Sequence, residues 1–325
     1  MKSNLPVRSL LIFATLLFLA PLASAQTTAT STDVSATAAT SSQTASFVVG
    51  EGPEALAFDG TNIWVANQFS NTVIKMRVSD GAILGTYAAG KRPVALAFDG
   101  ANVWVANYLS DNVTKLRASD GSTLGSYLTG DGPGGLAFDG KNIWVANRNS
   151  NDVTKLQASD GLKLGTYKVG NRPLALAFDG ANIWVTNNKS NTVTVLQAGD
   201  GSVLGTFAVG KGPFGVAFDG ASIWVANFFS QTVMQLASNG SVVNKVAVGD
   251  GPAGVTFAGG YIWVANNGSN TVSKLEPGAG TVLATFAVGR GPFGVTFDGT
   301  NIWVASTGTG TVSRISPPNK LSSVP

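Results

Sequence analysis

The chain has 325 residues, 44% of them hydrophobic and only 12% charged, with a formal net charge of +3 and neither histidine nor cysteine. Without imidazole or thiol there is no Ser-His-Asp triad, no cysteine nucleophile, no His- or Cys-ligated metal and no disulfide framework. The small basic excess also lacks the clustered footprint of a strong nucleic-acid binder, which disfavours nucleic acid as a partner.

Residues 1–25 carry Lys2 and Arg8, an apolar run from Leu10 to Leu19, and then Ala23-Ser24-Ala25. That order reads as a secretory signal with cleavage after Ala25, and the run is too short to span a bilayer. An exported protein, periplasmic or secreted, is expected. Losing Lys2 and Arg8 leaves nineteen cationic against eighteen anionic residues, so the apparent basicity carries little meaning. Residues 26–45 are rich in Ser, Thr and Ala and read as a linker; residues 317–325 form a C-terminal tail.

From residue 46 to 316 a unit of about forty residues recurs, built around Phe-Asp-Gly-x-x-Ile-Trp-Val-Ala-Asn. It places the seven tryptophans at 64, 104, 144, 184, 224, 263 and 303. In the first copy, Glu54–Phe58, Ile63–Ala66, Thr72–Val78 and Ile83–Ala88 are apolar or alternating runs, separated by Asp59-Gly60, Asn67 and Asp80-Gly81. Asp-Gly turns at this spacing predict an antiparallel meander of four strands. The inner runs, such as Ala-Leu-Ala-Phe and Ile-Trp-Val-Ala, are apolar on both faces, so each sheet must be covered on both sides. Radial packing achieves this with short edges only. The expected fold is therefore all-β, a seven-bladed propeller of four-stranded antiparallel blades. The tryptophans are expected to wedge between neighbouring blades, each removing about 150–250 Å² from water.

The last copy stops after its third strand, Thr311 to Ile315, and runs into Pro317-Pro318. The missing strand matches Ser46-Phe47-Val48-Val49-Gly50, which resembles Thr206-Phe207-Ala208-Val209-Gly210. The N-terminal strand is thus expected to complete blade seven and close the ring.

Variation between copies concentrates in the loop after the second strand and in the loop joining blades, which share one face in an up-down meander. The first set offers Phe69, Tyr108, Arg148, Lys189, Phe228 and Phe229 as ligand or partner contacts, because exposed apolar patches mark interaction sites. The second set, with the strand starts, offers a polar channel mouth of Glu51, Glu54, Arg92, Asp131, Arg172, Lys211, Asp250 and Arg290. No catalytic residue and no metal ligand is predicted. A divalent cation is the one cofactor candidate, for the carboxylates Glu51, Glu54, Asp131 and Asp250. The opposite face carries near-identical Asp-Gly turns. The repeated Asn67, Asn107, Asn147, Asn187, Asn227 and Asn266 read as turn caps rather than ligands.

Trp184-Val185-Thr186-Asn187-Asn188-Lys189-Ser190-Asn191-Thr192-Val193 and Trp263-Val264-Ala265-Asn266-Asn267-Gly268-Ser269-Asn270-Thr271-Val272 resemble the YVTN-type propeller repeat, with Trp in the Tyr place. The resemblance covers residues 46–316. It implies an exported propeller with a binding role; some members of that family are reported to bind DNA. The Gly-x-x-Pro element and Trp-bearing second strand are more distantly similar to streptogramin B lyases. Those are seven-bladed propellers that use a His base and magnesium, and this chain has no His for the base role. The expected function is a monomeric binding module working through the variable-loop face, its partner a small molecule, an envelope component or a protein. A metal-assisted lyase- or hydrolase-like enzyme and a DNA-binding periplasmic propeller are the alternatives.

Overall fold

The computed structural model describes residues 43–316. The expected signal, most of the expected linker and the tail lie outside the described residues. Seven four-stranded antiparallel sheets account for all the described strands. Blade one comprises Pro53–Phe58, Asn62–Asn67, Thr72–Arg77 and Ile83–Ala88. Blades two to six follow in the same strand order over residues 93–128, 133–168, 173–208, 213–247 and 252–287. Blade seven takes three strands from 292–316, and its fourth is the N-terminal strand Gln43–Val48. That strand runs antiparallel to Thr311–Ser316, with Phe47 opposite Val312, and it takes in three residues expected in the linker. Among the described residues no helix is long and apolar enough to cross a membrane.

Burial follows the sequence pattern strand by strand. Second strands such as Asn62–Asn67 are buried along their whole length, as their apolar runs demand, while fourth strands alternate exposed and half-buried residues as rim edges do. Each tryptophan is buried at the junction with the following blade. Trp64, for example, packs against Val103, Val105 and Leu116 of blade two and stacks on Tyr87 at 5.4 Å. At ring closure Trp303 meets Phe47 at 5.7 Å, so the N-terminal strand supplies the aromatic that blade seven lacks.

Two further devices hold the junctions. Lys75, Lys115 and Lys155 each lie over their own blade's tryptophan and donate from Nζ to a carbonyl of the next blade, Ala118, Ala158 and Ala198, all at 2.7 Å. Arg314 does the same across the closure, donating to Val78 O at 2.9 Å. In six blades the indole Nε1 donates to the turn aspartate five residues earlier, as Trp104 does to Asp99 Oδ2 at 2.8 Å. Blade six has Ala258 there, and Trp263 donates to its carbonyl instead.

Candidate functional site

The mouth of the central channel is built by a defect repeated in every blade. Between the first and second strands the register shifts just after the opening proline, so that Pro53 faces Asn67 while Ala55 faces Ala66; the other six blades show the same shift. A β-bulge bends the strand and re-aims a side chain. Here the residue after each proline is turned to the channel mouth: Glu54, Val94, Gly134, Leu174, Phe214, Ala253 and Phe293 all line one cavity. Six of these are apolar or glycine, and one is a carboxylate.

Glu54 is met by Arg148, which opens the turn after the second strand of blade three. Arg148 Nη2 lies 3.9 Å from Glu54 Oε1, with both side chains about one-tenth exposed, and it donates to Gly134 O at 3.1 Å. The arginine fits because residue 134 is glycine: a Cβ there would stand 1.9 Å from Arg148 Nε. Glu54 Oε2 and Arg148 Nε have no hydrogen-bond partner within the described protein, as is also true of the strand-end asparagine Oδ1 in six blades. Burial raises the Glu54 carboxyl above its ordinary range, with Arg148 and then Arg92 pulling the other way. Burial likewise lowers Arg148, opposed by Glu54 and Tyr108 and reinforced by Arg172 and Arg92.

Tyr108 stands between two guanidinium groups, with Arg92 5.0 Å and Arg148 5.4 Å from its ring centre. Its hydroxyl donates to Asn149 Oδ1 at 3.4 Å, and Arg92 Nε donates to Gln68 Oε1 at 3.1 Å. Outward of Arg148 opens a cavity of about 550 Å³ whose walls include Tyr108, Asn149, Arg172 and Lys189; inward lies the apolar channel, about 190 Å³. Arg148 borders both. Arg92 and Arg172 hold φ 56° in the joining loops, where blades one, three, five, six and seven have glycine at positive φ. A bulky residue there is strained by about 1–2 kcal/mol, and such strain gathers at functional sites.

The structure thus gathers Glu54, Arg92, Tyr108, Arg148, Arg172 and Lys189 on one sector of the mouth. The turn and joining loops do share a face, since Tyr108 N donates to Arg92 O and Arg148 N to Gly132 O. Glu51, Asp131, Lys211, Asp250 and Arg290 are exposed in separate joining loops. Among the described residues no three carboxylates gather as cation ligands would, and arginines flank Glu54, a setting that does not fit a divalent cation. The aromatic set divides. Phe69 and Phe229 are 61% and 69% exposed, whereas Phe228 is half-buried against Phe214 at 6.1 Å. Phe214 of blade five and Phe293 of blade seven meet at 5.6 Å. Sequence reading missed Phe214 and Phe293; their position directly after the repeat proline was the available signal.

No protein-family model and no curated protein matches the chain. Among solved structures it is similar to a catalytically inactive virginiamycin B lyase from Staphylococcus aureus with quinupristin, at 18% identity over 85% of this chain and 100% of that one, with a TM-score of 0.75. A streptogramin B lyase structure gives 18% identity, 85% and 97% coverage and 0.74. Hydrazine synthase from Kuenenia stuttgartiensis gives 19%, 82%, 96% and 0.72. The fold is that of the streptogramin B lyase-like seven-bladed propellers. Likeness at this level of identity speaks for the fold alone.

Proposed function

We propose that the protein is an exported, YVTN-type propeller that binds a small molecule at the channel mouth, on the variable-loop face. The observation that carries this reading is the break in sevenfold symmetry. In one sector a buried Glu54 and Arg148 face each other at 3.9 Å, where the other six blades place an apolar residue or glycine after the proline, an arrangement that packing does not require. The test is a ligand-observed NMR screen of a fragment library against the protein and Arg148→Met. Hits that bind the wild type and are lost in the variant support the reading; hits that bind both equally well defeat it.

One observation favours a second reading, a lyase- or hydrolase-like activity. Glu54 is a carboxyl raised by burial at a residue that lines the channel, and a raised carboxyl can hold and pass a proton. Turnover of a cyclic depsipeptide ester that disappears in Glu54→Gln would establish it; equal turnover by the variant would remove it.

A further inference from the structure

Resting on the channel-mouth reading, we propose that the ligand is a small organic anion, a carboxylate carried on an apolar or aromatic body. The carboxylate sits on Arg148 and the body against Phe214 and Phe293, and binding places one solvent proton on Glu54.

Charge selects the anion. Arg148 has five N–H donors, yet one backbone carbonyl is its hydrogen-bond acceptor and Glu54 stays at 3.9 Å, beyond hydrogen-bond reach. Its guanidinium borders both the channel and the outer cavity, and the planar pair of Nη groups matches a carboxylate. Arg92, Arg172 and Lys189 stand around the same mouth and its outer cavity, and of these Arg92 and Arg172 are kept at the expense of backbone strain. A cationic ligand would meet four positive charges and one buried carboxyl. The carboxylate of Asp131, in the joining loop before blade three, accepts from Asn149 Nδ2 at 3.0 Å.

The aromatic residues of blades five and seven select the body. Phe214, Phe293 and Phe228 form a connected aromatic group, and beneath them the channel wall is Leu136, Val216 and Val295. Inorganic phosphate has nothing to place there. A ligand that uses both the charged and the aromatic residues is amphipathic.

The proton follows from crowding. Once a ligand carboxylate takes the Arg148 fork, two carboxylates share one buried guanidinium, and like charges so placed do not both stay ionised. The ligand's is better served, with Arg172 and Lys189 on its outer side. Glu54, held in the bulge with Arg148 and Arg92 as the charged groups facing it, accepts the proton at Oε2, which comes from bulk water. Burial, Arg172 and Arg92 oppose the charge on Arg148, while Glu54 and Tyr108 favour it, so an incoming anion relieves the crowding of positive charge.

The test is isothermal titration calorimetry of the protein with phenylacetate at pH 5.5 and 7.5, in two buffers of different ionisation enthalpy. Benzyl alcohol and inorganic phosphate serve as comparison probes. Phenylacetate is expected to bind more tightly than either. Uptake of up to one proton is expected, with affinity falling by up to tenfold per pH unit across the Glu54 titration. Glu54→Gln should bind more tightly, with no proton uptake. Arg148→Met should bind at least tenfold more weakly, and the exposed Arg172→Gly severalfold more weakly if Arg148→Met fails to fold. Benzyl alcohol binding as well as phenylacetate would overturn the anion while leaving a channel-mouth ligand in place. Phosphate binding as well would overturn the organic body. Uptake unchanged in Glu54→Gln would overturn the proton step, and no binding by any probe at either pH would overturn the inference as a whole.

Discussion

Arg148 Nη2 lies 3.9 Å from Glu54 Oε1 although the two residues belong to blades two steps apart in the ring. Burial still raises the Glu54 carboxyl, so desolvation outweighs the attraction. A carboxyl raised in the folded state contributes most below the free-Glu range, about pH 4.3, and that contribution is lost as pH rises through the folded pKa. Glu54→Gln is therefore expected to melt above the wild type at pH 7.5, with the gap closing at pH 4. A variant melting lower at pH 7.5 would show that Arg148's attraction governs instead.

Arg172 sits at φ 56° where five blades use glycine, and its side chain is exposed. Arg172→Gly removes the strain and little packing, so stability should be unchanged or rise by up to about 1 kcal/mol. Chemical denaturation measures this directly. A loss beyond about 1 kcal/mol would mean that the side chain supports the fold.

The turn aspartates give the opposite pH sign to Glu54. Burial raises Asp99, but the bonds from Trp104, Ala101 and Asn102 together outweigh it and hold the carboxyl below the ordinary range; Asp139, Asp179 and Asp298 share the pattern. Their contribution is complete above about pH 3.9, the free-Asp value, and is lost as pH falls through the lowered folded pKa. The melting temperature should therefore fall steeply below about pH 4. Asp99→Ala, which strands a buried indole N–H, should cost about 1–3 kcal/mol, and Trp104→Ala about 3–5 kcal/mol.

Deleting residues 43–48 removes the fourth strand of blade seven and the Phe47–Trp303 contact. A large drop in melting temperature is expected; an unchanged one would mean that three strands suffice to close the ring.

The architecture was legible because seven tryptophans at one spacing, with apolar runs on both faces of the inner strands, admit few packings. The closing strand was legible because Phe47-Val48-Val49-Gly50 copies the fourth strands. The site was only half legible. Glu54, Arg92, Tyr108, Arg148, Arg172 and Lys189 were flagged as departures from the repeat, but in two separate groups. What joins them is the bulge after each proline and the void at Gly134, and neither leaves a mark in a single copy of the repeat. The indole–aspartate bond had a signal, the fixed five-residue spacing broken only at Ala258, yet an aspartate before glycine is explained so well as a turn former that its second role stayed hidden.

Because the strand Gln43–Val48 pairs with Thr311–Ser316, the first described segment to leave the ribosome waits for the last. Six blades have all four strands consecutive in the chain and can assemble in order from local contacts, while the ring stays open. Its sealing is a single closure across nearly the entire chain, the kind of event that loop entropy makes slow. Residues 43–48 relocated behind Ser316 would turn that distant pairing into an ordinary hairpin, so the timing of closure is set by chain order rather than by any contact in the finished ring.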